Sequence, residues 1–251
     1  FSEEISKVKT QPIIGSQINF KFNELIGKIP IFAKTEKGFK NLTKLSSKSF
    51  LDVKASQTPH CSIDDLMENN EDLIITSGGL DSLFCQLIKK NNPKQLQQIS
   101  SKIKSIFGDR FYLEIQRHND NDEKGIENSL LELSEKIKIP LIASQEVFYI
   151  EKDMFEAHDA LLCIGQKTYV DEEKRKKYSD QHYIKTTEEI IKIYKDLPEA
   201  LENNYNFPLR FSYKLKKSKP NLPSIKISNN LTEQDELMRL SKIGLKNRLE
   251  N

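Results

Sequence analysis

Three short apolar runs, Leu73-Ile74-Ile75-Thr76, Phe111-Tyr112-Leu113-Glu114-Ile115 and Leu141-Ile142-Ala143, constrain this chain more than any other feature. Each is too short for a helix and suits a buried strand. Between them lie stretches of helix length with apolar residues at helical spacing. Leu96, Ile99, Ile103 and Ile106–Phe107 follow Pro93, and Ile126, Leu130, Leu133 and Ile137 lie within Lys124–Lys138. Strands alternating with helices predict an α/β fold with a mainly parallel sheet or barrel. In such folds, sites are built at the C-terminal ends of strands. Here those ends are Gln116-Arg117-His118-Asn119 and Ser144–Tyr149.

The segments around this core are legible in the same way. Gln17–Phe22 alternates with period two and reads as a strand; Ile29–Ala33 reads as a second, with Pro30 suggesting an edge or a strand start. Thr35 is placed to cap a helix with Phe39, Leu42, Leu45 and Phe50 on one face. Ser62 and Asp65 resemble a capping box opening a short helix through Met67. Ser77-Gly78-Gly79 turns a strand into a helix over Ser82–Lys90. After Leu141–Ala143, Asp153 is placed to cap a helix whose apolar positions Phe155, Ala157, Leu161, Leu162 and Ile164 run to a stop at Gly165. Asp171–Asp180 is a charge run, expected to be mostly solvated. Thr186/Thr187 open a helix through Tyr194, Leu197-Pro198 opens another that ends at Pro208, and Thr232–Leu249 is a further helix. Residues 1–11 show no clear element, and 213–230 read as a basic, proline-punctuated linker.

Composition excludes several classes. The chain is 37% hydrophobic and 30% charged, polar but not disordered in character. A net charge of +2 gives no bulk attraction to nucleic acid. The three cysteines, Cys61, Cys85 and Cys163, are far apart and read as free thiols of a reducing, cytoplasmic protein. No apolar run approaches the length that spans a bilayer. The start at Phe1, without an initiator Met, suggests a piece of something longer.

Ser77-Gly78-Gly79-Leu80-Asp81-Ser82 is similar to the SGGxDS loop of PP-loop ATP pyrophosphatases, where glycines admit a pyrophosphate. A strand-to-helix turn asks for the same residues. His118, at a strand end, is a candidate metal ligand, although a lone histidine there is more often only hydrogen-bonded. Glu146 is a candidate acid or ligand. His158 reads as a helix-face residue, and His60 and His182 carry no further signal. Lys214, Lys216, Lys217 and Lys219 are candidates for phosphate contact, set against a solvated linker. No catalytic triad, HExxH or Walker loop is present.

Six collinear segments together carry a resemblance: PIIGSQINF, GFKNLTKLSSKSF, CSIDDLMENNEDLIITSGG, GDRFYLEIQRH, IPLIASQEVFYIEKDMFEAHDALLCIGQKT and SDQHYIKTTEEI. They resemble, in order, the N-terminal PHP (polymerase and histidinol phosphatase) domain of bacterial replicative DNA polymerase III alpha subunits, over about residues 11–205. The resemblance implies a distorted (β/α)7 barrel, here expected to lack its first βα units. It assigns residues 1–212 to the PHP domain and 213–251 to a linker and first helix leading to the polymerase palm.

The resemblance also supplies ligand positions. Metal-binding members have Glu where this chain has Gln17, His where it has Lys28, His at His118, and Asp-Val-His where it has Glu146-Val147-Phe148. Gln brings no charge, Lys repels a cation and Phe has no lone pair, so the resemblance implies a degenerate site with no metal expected. It further implies that the whole protein is a DNA polymerase using Mg²⁺ at carboxylates outside this chain. DNA and a sliding clamp would be met elsewhere on that protein. This portion would be a non-catalytic scaffold docking the proofreading exonuclease subunit. A metal-dependent PHP phosphoesterase or exonuclease, and an ATP-using enzyme built on Ser77–Ser82, are the alternatives.

Overall fold

The computed structural model describes residues 1–217, 219–220, 227 and 232–250. The chain divides into two compact units, Phe1–Leu215 and Lys216–Asn251.

The first unit is built on a six-stranded mixed sheet. Its strands are β1 (Ile14–Phe22), β2 (Leu25–Ala33), β3 (Cys61–Ser62), β4 (Leu73–Thr76), β5 (Phe111–Gln116) and β6 (Leu141–Ser144), in the order β3-β1-β2-β4-β5-β6. The sheet is mixed, with three parallel and two antiparallel pairings. β4–β5, β5–β6 and β1–β3 pair parallel, whereas β1–β2 and β2–β4 are antiparallel. The cause is local: Phe22 pairs with Leu25, leaving only Asn23 and Glu24 to turn the chain. Asn23 adopts φ 53°, the left-handed region that such hairpin turns require. A two-residue connection permits only an antiparallel partner.

Pro30 is interior, not at an edge. β2 lies between β1 and β4, and its pairing with β4 starts at Ile31, one residue beyond the proline. That ladder therefore asks no donor of Pro30.

The helices are α1 (Ser2–Lys7), α2 (Glu36–Leu51), α3 (Ile63–Glu68), α4 (Leu83–Lys89), α5 (Pro93–Phe107), α6 (Glu123–Ile137), α7 (Phe155–Gln166), α8 (Thr187–Ile193) and α9 (Pro198–Asn206). Thr35, Ser62, Ser82 and Thr186 cap α2, α3, α4 and α8 through their hydroxyls, and Ser62 and Thr186 form full capping boxes with Asp65 and Glu189. α1 had no sequence signal beyond Glu3 and Glu4 in its first turn and Lys7 in its last, a charge order that favours the dipole.

The sheet is covered on both faces. Phe20, Ile29, Ile31, Leu73, Ile75, Phe111, Leu113 and Ile115 pack with Leu45, Leu66, Phe84, Ile99 and Ile103 in the larger core. Ile74, Tyr112 and Ile142 point the other way, onto Phe207 and Phe211.

Two helix faces differ from expectation. In α2 the buried stripe is Gly38, Leu42, Leu45 and Ser49, and Phe50 is 66% exposed, because it lies one residue off the stripe. In α7, Leu161 and Ile164 are exposed while Asp159 and Cys163 face inward. Asp159 turns inward to take a two-point contact from Arg175, at 2.6 and 2.7 Å. Arg175 therefore leaves the expected solvated charge run and has a side chain only 2% exposed. Asp153 does not cap α7 and Gly165 does not end it: Met154 precedes the helix, and Lys167 in the left-handed region follows it.

The second unit contributes α10 (Glu233–Leu249), capped by Thr232 with Asp235. Its apolar positions Leu237, Leu240, Ile243 and Leu245 are exposed. Of the linker read at 213–230, residues 218, 221–226 and 228–230 lie outside the described residues; Lys214, Lys216 and Lys219 are exposed. Among the described residues no helix is long and apolar enough to cross a membrane.

Candidate functional site

The C-terminal ends of β4, β5 and β6 lie side by side, and the residues just beyond them form the candidate site. The positions singled out in the sequence converge there. Gln17, Lys28 and Glu146 line one small cavity with Gly78–Ser82, about 20 Å³, the space of roughly one water. His118 is tied to it through the main chain of Glu146, and Phe148 packs on His182, whose ring stacks on His118.

His118 is 1% exposed and fully committed. Its Nε2 accepts the Glu146 N–H at 2.9 Å, and its Nδ1 faces Glu123 Oε1 at 2.8 Å. A ring nitrogen that accepts carries no proton, so the proton sits on Nδ1 and is donated to Glu123. The other Glu123 oxygen accepts the His118 and Asp120 main-chain N–H groups at 2.6 and 3.2 Å. The one lone pair that His118 has to offer is therefore spent on a backbone amide.

His182, which the sequence reading passed over, joins the cluster. It is 1% exposed and stacks on His118 with ring centroids 4.2 Å apart and planes within 4°. Its Nδ1 lies 2.9 Å from the Glu146 carbonyl, and its Nε2 lies 3.1 Å from Asp120 Oδ2. Phe148 continues the stack between His182 and His158, with Tyr178 beside it. Burial, followed by the charge of His182, lowers the pKa of His158. The only sequence signal for His182 was its place inside the block SDQHYIKTTEEI.

Arg117 braces the strand end. It bonds both oxygens of Glu127 at 2.5 and 3.0 Å and both of Asp196 at 2.7 and 2.8 Å, and lies over the Tyr194 ring. The hydrogen bonds it donates to Asp196 and Glu127 raise its pKa, and the same contact pulls the Asp196 carboxyl down to about 2. Glu114 accepts from Thr76, Gln116 and Ser144 at 2.5–2.7 Å, linking the ends of β4, β5 and β6.

The Ser77–Ser82 loop is explained by packing. Gly78 has φ +76°, and a Cβ on Gly79 would stand 2.4 Å from Gln116 Oε1. Ser77 Oγ accepts the Glu114 N–H at 2.8 Å, and Ser82 Oγ caps α4. Beside it a wider cleft of about 350 Å³ is lined by Asp81, Asp120, Asp122, Glu146, Lys89, Lys176 and Tyr178. Its acids are largely paired, Asp122 with Lys89, Asp81 with Lys176 and Asp120 with His182. Among the described residues no three His, Cys, Asp or Glu side chains converge as metal ligands. His60 lies apart, bonded to the Thr58 carbonyl, and Cys61, Cys85 and Cys163 are buried free thiols. Burial pushes the Cys61 and Cys85 thiols up to about 11, so both are held in the unreactive form.

The PHP domain model matches residues 1–118 of this chain. The chain is similar to DNA polymerase III alpha subunits. It is 36% identical over 243 residues to the DNA polymerase III subunit alpha of Rickettsia conorii, covering 95% of this chain and 20% of that protein. It is 33% identical over 220 residues to that of Caulobacter vibrioides, with 88% and 19% covered. It is 33% identical over 267 residues to that of Borreliella burgdorferi, with 100% and 23% covered. The chain thus spans about a fifth of the length of these relatives.

Proposed function

We propose that this chain is the PHP portion of a replicative DNA polymerase and that it acts as a non-catalytic scaffold docking the proofreading exonuclease subunit. In this reading residues 1–212 form the PHP domain, a distorted (β/α)7 barrel in the intact protein, and 213–251 lead to the polymerase palm. Template-directed synthesis, Mg²⁺, DNA and the sliding clamp belong to the rest of that protein, in the cytoplasm.

The observation that carries the non-catalytic part is the donor set. A multinuclear metal centre needs several free lone pairs at one point. Gln17 is uncharged, Lys28 is cationic, Phe148 has nothing to donate, and the His118 acceptor nitrogen is spent on Glu146. Of these positions Glu146 alone supplies an anionic donor. These residues do not fit the metals that the fold class implies.

The test is a pull-down of the full-length protein with its own exonuclease subunit, with and without this region, alongside metal analysis. Loss of binding on deletion and no stoichiometric transition metal support the reading. Binding retained after deletion sinks the docking role. Two or more bound metals, or a metal-dependent nuclease activity removed by His118→Ala, would revive the phosphoesterase alternative.

A further inference from the structure

We propose that residues 178–185 form a strap, latched over the His118 end of the sheet by a stacked histidine pair in which the tautomer of His118 is fixed, so that the chain itself closes this site. The strap belongs to no helix or strand of its own, yet it is tied down along its length. Ser179 donates its hydroxyl to the His118 carbonyl and its N–H to Asp120 Oδ1. The His182 carbonyl accepts the Phe148 N–H at 2.9 Å, and Ile184 donates to the Tyr149 carbonyl at 3.2 Å, alongside a parallel bridge between Tyr149 and Tyr183. Lys185, buried, donates its ammonium to the Gln181 carbonyl, which turns the strap back on itself.

The latch is the peptide of Glu146. His118 takes its N–H, and His182, stacked above, gives Nδ1–H to its carbonyl. One ring must accept and the other must donate. Were His118 protonated on Nε2, two N–H donors would face each other at 2.9 Å. Glu123 selects the required tautomer of His118 by accepting at its Nδ1, and the outer nitrogen of His182 faces Asp120. Phe148 and Tyr178 pack on the His182 ring, and His158 packs on both of them. Two buried rings, two carboxylates and one peptide thereby join β5, the Glu146 edge and the strap with no metal. The consequence is chemical: the imidazole of His118 is sealed from any reagent or substrate until the strap lifts.

Diethyl pyrocarbonate labelling of the full chain, read by peptide mass spectrometry, tests this. Half-exposed His60 serves as the internal reference, and thiol labelling of Cys85 reports on the integrity of the core. In the wild type, His118 and His182 should label at least about tenfold slower than His60, since only local opening exposes them. In His182→Ala, His118 labelling should rise to within about threefold of His60 while Cys85 stays unreactive; Ser179→Ala should give a smaller rise in the same direction. Long-range ¹⁵N correlation on the wild type should place the His118 proton on Nδ1. Wild-type His118 labelling as fast as His60, protection that survives His182→Ala, or a proton on Nε2 would each overturn the strap. Should His182→Ala not fold, Ser179→Ala and the tautomer still decide. None of these readouts involves the exonuclease subunit, so the docking role stands or falls separately.

Discussion

Phe148 lies face to face with His158, ring centroids 5.0 Å apart and planes within 8°, while its other neighbour in the stack is His182 at 4.9 Å. A position that the family resemblance marks as a ligand position is thus the middle of an aromatic column. Restoring the ligand type alone should not restore a metal. Phe148→His supplies one lone pair, but His118 Nε2 remains bonded to Glu146 and Lys28 remains a cation. The expected result by mass-spectrometric metal analysis is no stoichiometric zinc or manganese. Phe148→Ala should cost roughly 1–3 kcal/mol in denaturant unfolding, below the figure for a fully buried Phe because Phe148 is only half-buried. Zinc bound one-to-one by Phe148→His would show that His118 can exchange its backbone partner for a metal.

Arg117 is the second point of leverage. Its side chain is 21% exposed and Glu127, its inner partner, 17%. Arg117→Ala leaves the Glu127 carboxylate half-desolvated and unpaired and should cost roughly 2–3 kcal/mol, somewhat less than a fully buried pair. The same contact sets a pH dependence. Asp196 has its pKa pulled down to about 2 in the folded state, so its share of stability is fully present above the unfolded value near about 4. That share is lost as pH falls through about 2. Unfolding midpoints of wild type and Arg117→Ala should therefore converge between about pH 4 and pH 2. A constant gap across that window would mean that the guanidinium acts through packing on Tyr194 alone.

The stripe on α2 separates what the sequence disclosed from what it hid. Leu45 is fully buried and Phe50 is 66% exposed, although both were placed on one face. Leu45→Ala should cost about 2–5 kcal/mol and Phe50→Ser within about 0.5 kcal/mol. An equal loss in both would return Phe50 to the core. Most strands, caps and helices were legible because each rests on neighbours in sequence: Thr35, Ser62 and Thr186 cap where their spacing placed them, although Asp153 does not. The mixed sheet was not, because it turns on the left-handed φ of Asn23, a single residue.

The site was half legible for a similar reason. Gln17, Lys28, His118, Glu146 and Phe148 come from four separate segments, and only the family resemblance joined them. His182 and Asp120 are 62 residues apart, and no spacing links two residues that meet only through the fold. The inward turn of Asp159 was hidden likewise, since its partner Arg175 lies 16 residues on, in a run that reads as solvated.

Gly38 offers the sharpest steric test of how α2 meets the sheet. It lies in the first turn of the helix, where a Cβ would stand 2.2 Å from the Asp72 carbonyl oxygen. That carbonyl is already used, accepting the Lys34 N–H at 2.9 Å, and the Asp72 carboxylate accepts the hydroxyl of Thr35, the α2 cap, at 2.7 Å. Asp72 itself sits at φ 54°, so the turn has little freedom to yield. Gly38→Ala therefore cannot be relieved by a side-chain rotation; the helix start and the entry to β4 have to move apart. The helix propensity gained from Ala, about 1 kcal/mol, is smaller than the overpacking cost of about 1–3 kcal/mol plus the weakened cap. The expected net effect is a Tm lowered by several degrees, about 2–4 °C for each kcal/mol lost in a chain of this size. Gly38→Ser should lower it further. An unchanged or raised Tm for Gly38→Ala would mean that α2 does not rest on Asp72 as described.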